Sequence, residues 1–114
     1  MAKPADKRKS ARVPVNFEVR FTFGTQEHIA QALNLSADGM FIKTGYMLLQ
    51  GDVIEVFFRL PNIEEPFWLK ARVAWGTWIE GMNMPTSGMG IQFIDLLPSQ
   101  REHIKYHIRG LIQN

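Results

Sequence analysis

The 114-residue chain contains no cysteine, which removes disulfides and thiolate metal sites from consideration. It also lacks any apolar run near the roughly 20 residues a membrane-spanning helix needs. The opening "MAKPADKRKS" is charged and has no apolar run behind it, so no secretory signal is expected there. These absences lead to the expectation of a soluble, cytoplasmic protein with no membrane insertion. The net charge, +2, is small, but it is unevenly spread. Lys3, Lys7, Arg8, Lys9 and Arg12 against Asp6 give the first 12 residues +4, leaving −2 for the rest. The sequence therefore reads as a flexible basic arm over 1–12 and a single globular domain over 13–114. A basic arm attracts anions such as nucleotide, nucleic acid or an acidic surface, and it also serves simply as a solvated tail.

Beyond the arm the apolar period is two. Val13, Val15, Phe17, Val19, Phe21 and Phe23 alternate with polar residues, as in a half-buried strand. After the turn "GTQE", a second run puts Ile29, Gln31, Leu33 and Leu35 on one face. "MFIK", "VIEVFFRL", "FWLKARVAW" and "GMGIQFID" read as four more strands between turn signals. Short strands in this order predict an antiparallel barrel or sandwich. The period then lengthens. Ser99 with Glu102 fits a capping box, and Ile104, Ile108, Leu111 and Ile112 share one face of a C-terminal helix starting near residue 99.

Two short constellations carry chemistry. "RKSAR" holds Arg8 and Arg12, whose planar guanidinium forks suit phosphate or the O6/N7 edge of guanine. "NLSADG" holds Asn34 and Ser36, which strand parity points to the outer face, and Gly39, placed where the chain must turn. An amide and a hydroxyl suit the N1–H and N2–H2 edge of guanine; both residue types also bond their own backbone in turns. Other candidates are weaker. His103 and His107 have metal-ligand spacing but no evident third ligand. Trp68, Trp75 and Trp78 are able to stack bases, although Trp75 lies on the core parity. Met82, Met84 and Met89 flank the loop "NMPTSG" as either core filler or a partner surface. No nucleophile–base pair or phosphate loop points to an enzyme, and a barrel with −2 outside its arm offers no extended basic groove for nucleic acid.

Taken in order, R-x-x-x-R and [D/N]-x-S-x-x-G resemble the PilZ domain, a bacterial receptor family for cyclic di-GMP. "ARVAW", "GMGIQF" and "DLLPSQRE" are similar to that family's later strands and its passage into the last helix. The resemblance implies a mainly β fold, a six-stranded antiparallel barrel with a C-terminal helix. It implies that Arg8 and Arg12 grip guanine and phosphate, that Asn34 and Ser36 bind a guanine edge, and that Gly39 keeps the turn open. Lys7, directly before Arg8, is placed for an additional phosphate contact. The expected protein is a non-enzymatic cyclic di-GMP receptor or adaptor with no cofactor, no metal and no nucleic-acid partner. Its arm would close over the dinucleotide and alter the surface shown to a downstream protein, regulating motility, biofilm exopolysaccharide or virulence. The alternative is an interaction module of the same fold that binds no nucleotide.

Overall fold

The computed structural model describes residues 12–46, 48–78 and 87–113, with backbone alone at 75–78, 87 and 113. Six strands precede one helix: β1 (Val13–Phe23), β2 (Gln26–Leu35), β3 (Gly39–Lys43), β4 (Val53–Phe58), β5 (Phe67–Trp78), β6 (Ser87–Ile94) and α1 (Pro98–Gln113). They close into a barrel in the order β1-β2-β3-β6-β5-β4, every neighbouring pair antiparallel. Pairing of β1 with β4 and of β3 with β6 closes the sheet on itself.

The alternation in β1 does what its period dictates. Val13, Val19 and Phe21 are buried, and Val15, Phe17 and Phe23 pack against the core from partly buried positions. Inside the barrel Phe58 and Phe67 stack at 5.0 Å with planes 2° apart. Small residues (Ala30, Ala32 and Ala71) are buried in the same core and make room for the phenylalanine rings. From α1, Ile104 and Ile108 join this core.

Three expectations need correction. First, the inward face of β2 is not Ile29, Gln31 and Leu33. Ala30 and Ala32 are buried and Ile29 is 64% exposed. The reason is a bulge. Opposite β3, Ala32 pairs Ile42 and Asn34 pairs Phe41, so Leu33 is an extra residue that resets the parity before Leu35 turns inward. Opposite β1 the register also slips, between Pro14 and Phe17. Second, the helix starts at Pro98, as expected near residue 99, but its cap is different. Leu97 accepts from Arg101 N at 3.0 Å, Pro98 occupies the first helical position, and Gln100 Oε1 accepts from Leu97 N at 3.0 Å. Third, Leu111 and Ile112 do not share the buried face; they are 41% and 57% exposed.

Candidate functional site

The bulge in β2 positions Asn34 between its two neighbours. Its Oδ1 accepts the Phe41 N–H of β3 at 3.0 Å, a bond that replaces the ladder contact the extra residue disrupts. The same oxygen accepts Arg12 Nη1 at 3.1 Å. Arg12 stands directly before β1, whose Pro14 is the register partner of Asn34. The strand pairing therefore delivers Arg12 to Asn34, 22 residues away in sequence. Arg8 and Lys7 lie outside the described residues, as do the rest of the arm, Met82, Met84 and the side chains of Trp75 and Trp78.

Ser36 is not on the outer face. It is 3% exposed, and its hydroxyl is turned into the turn that joins β2 to β3. Oγ accepts Asp38 N at 3.1 Å and Gly39 N at 3.2 Å, and Ser36 N donates to Gly39 O at 2.9 Å. The parity that predicted outward exposure ends with the strand at Leu35, and turn chemistry takes over. Gly39 also differs in its reason. It is the first residue of β3 with no positive φ. A Cβ there would meet the Ile91 carbonyl oxygen of β6 and would lie 3.2 Å from Gln92 Cα. Close approach of two backbones, not left-handed conformation, demands the glycine.

Asp38 and Arg101 were not singled out by sequence reasoning. The Asp38 carboxylate pairs with Arg101 Nη1 of α1 at 3.0 Å, and its backbone carbonyl accepts Phe93 N at 2.8 Å. The turn is thereby tied to β6 and to the helix. A carboxylate and a guanidinium so distant along the chain leave no local charge pattern to read. The resulting site has a guanidinium at its rim, an amide beside it, and a backbone turn held from below by a buried hydroxyl. Such a surface offers donors to an anion and edge contacts to a planar polar ring. Among the described residues no group of three or more His, Cys, Asp or Glu is placed to hold a metal.

The sequence matches the PilZ domain family over residues 6–110. The chain belongs to the PilZ family. Comparison with curated proteins gave no match. Among solved structures, the fold is similar to Bacillus subtilis MotI/DgrA, an inhibitor of motility, with TM-score 0.81 and 18% identity, covering 95% of this chain and 52% of that one. It is similar to Escherichia coli YcgR solved with c-di-GMP (TM-score 0.72, 17% identity, 94% of this chain and 46% of that one). A third is MrkH, described as a c-di-GMP-dependent transcription regulatory factor (TM-score 0.75, 13% identity, 95% and 52%). This PilZ chain thus spans about half the length of each of the three.

Proposed function

We propose that this PilZ protein is a cyclic di-GMP receptor that acts as an adaptor, not a catalyst. Family membership supports receptor function in general, and YcgR was solved with that nucleotide bound. The observation that carries the reading for this chain is the Arg12–Asn34 contact, because it brings one residue of each short motif together. In the proposed mechanism residues 1–12 act as a strap and 13–114 as the seat. Arg12 and Arg8 take guanine and phosphate, with Lys7 as an additional phosphate contact. Asn34 and the Ser36–Gly39 turn meet the guanine edge.

The contact also sets a sequence of events. Asn34 Oδ1 already accepts two donors, Phe41 N–H and Arg12. An oxygen has two lone pairs, so a guanine N–H reaches it only after Arg12 lets go. The Arg12 bond joins a charge to a neutral amide but is exposed to water, so breaking it costs about 1–3 kcal/mol. A phosphate repays that with charge-assisted bonds to the Arg12 guanidinium. Nucleotide arrival thus exchanges an internal contact for ligand contacts and reorganises the arm, changing the surface offered to a downstream protein in the cytoplasm. Regulation of motility, exopolysaccharide or virulence is the corresponding output.

Isothermal titration with cyclic di-GMP tests the reading. Binding with one or two nucleotides per chain is expected, with Arg8→Ala and Arg12→Ala each weakening it roughly tenfold or more. No heat, or affinity indifferent to both variants, refutes it in favour of an interaction module without nucleotide. Because MrkH is a transcription regulatory factor, a gel shift with duplex DNA across a salt series is the direct check on the expectation of no nucleic-acid partner.

A further inference from the structure

The motif turn carries an acid. In "NLSADG" the residue before Gly39 is Asp38, a full negative charge inside the segment that the proposed reading gives to an anionic dinucleotide. Its backbone is committed to the turn. The N–H donates to Ser36 Oγ at 3.1 Å, and the carbonyl accepts Phe93 N at 2.8 Å. Neither bond needs a carboxylate. The carboxylate instead meets α1, with Arg101 Nη1 at 3.0 Å from Oδ1. Arg101 is fixed there by the start of the helix, where its N–H donates to Leu97 O at 3.0 Å.

An ion pair of this kind can serve as a brace or as a charge screen, and the surroundings favour the screen. Both side chains are part-exposed, 40% for Arg101 and 35% for Asp38, a setting in which a pair adds little to stability. The turn is already held by the Ser36 hydroxyl and by Phe93. What only Arg101 supplies is charge. Asp38 is the one acid in the motif turn. Glu102 of α1 faces Lys105 at 3.9 Å, and Asp95 lies in the link between β6 and α1, outside the turn. On the opposite flank Arg12 attracts an anion, and an uncompensated Asp38 would work against it. We propose that Arg101 tunes the nucleotide site from outside it, by cancelling the charge of Asp38. The inference rests on the cyclic di-GMP reading and adds to it a residue beyond both short motifs, supplied by the helix.

A brace and a screen differ in the sign of one variant. Isothermal titration of the full chain with cyclic di-GMP at low salt reads it. Arg101→Gln keeps a donor for Asp38 but leaves the pair at −1, and is expected to weaken binding by roughly threefold to tenfold. Asp38→Asn keeps the shape and both backbone bonds but leaves the pair at +1, and is expected to tighten binding by a similar factor. The double variant is neutral again and returns to within about twofold of the parent. All three shifts fade at about 1 M salt, where the screening length is about 3 Å, and urea midpoints stay near that of the parent. Asp38→Asn weakening binding overturns the proposal, because the carboxylate then braces the turn or meets guanine itself. A double variant as weak as Arg101→Gln also overturns it, by putting Arg101 on the nucleotide. A parent that binds while Arg101→Gln binds equally well overturns this inference alone; a parent that gives no heat overturns the receptor reading and this inference together.

Discussion

Gly39→Ala separates two explanations of the same glycine. If the residue were there for a left-handed turn, asparagine would be the mildest replacement, since it tolerates positive φ better than alanine. The structure gives a different reason: an added Cβ meets the Ile91 carbonyl oxygen and lies 3.1 Å from its carbon and 3.2 Å from Gln92 Cα, all backbone. Backbone in a closed barrel gives way only by moving β3 against β6, where Gly39 is in register with Gln92. Overpacking of this kind costs about 1–3 kcal/mol. A loosened ladder hydrogen bond adds roughly 1 kcal/mol. A domain of 114 residues has on the order of 6–17 kcal/mol in total. The variant should fold, then, but with a midpoint lowered by about 10–25 °C. Urea denaturation should give a loss of about 2–4 kcal/mol with an unchanged slope. Gly45→Ala, with nothing within 4 Å of its added carbon, is the control and should be near neutral. A Gly39→Ala loss below about 0.5 kcal/mol, or a Gly39→Asn variant milder than Gly39→Ala, refutes the close-approach account.

Asn34→Asp keeps an acceptor for Phe41 N and turns the Arg12 contact into an ion pair, so the fold should persist and the arm should hold more tightly in the absence of nucleotide; Asn34→Leu strips both bonds and should cost about 1–3 kcal/mol in a denaturant titration. Gly110 lies inside α1 with open space around a would-be Cβ, so Gly110→Ala should raise stability by roughly 0.5–1 kcal/mol, read as a higher melting temperature. Burial lowers the His107 pKa below its ordinary 6.5, so below that value the unfolded chain binds more proton than the folded one. The stability from this group is present above 6.5 and is lost as pH falls through the lowered folded value; His107→Gln should flatten that part of the stability–pH profile.

Where one side chain pattern answered to one physical demand, the sequence was easy to read. The alternation of β1 survives closure because every inward position meets the same core. The six strands and the helix were recoverable from turn residues and the change of period, and the motif order pointed to the PilZ family. Ile104 and Ile108 were legible because burial is continuous beneath them. Leu111 and Ile112 were not, since helical period says which residues share a stripe and nothing about how far the barrel extends under it.

The site itself was half legible, and the missing half has one cause. Period-two reasoning assumes an unbroken ladder, and a single extra residue at Leu33 ends that assumption. Before the bulge the inward set is Ala30 and Ala32; after it, Leu35. Nothing in "QALNLS" announces the slip, because alanine and leucine both serve as core residues and the choice between them is made by β1 and β3. Yet the bulge is what frees the Asn34 carbonyl to take a backbone N–H and an arginine at once. The irregularity that defeats the simple reading is the same one that builds the site. A regular strand through this segment would leave Asn34 as an ordinary surface amide, with no reason for Arg12 to meet it.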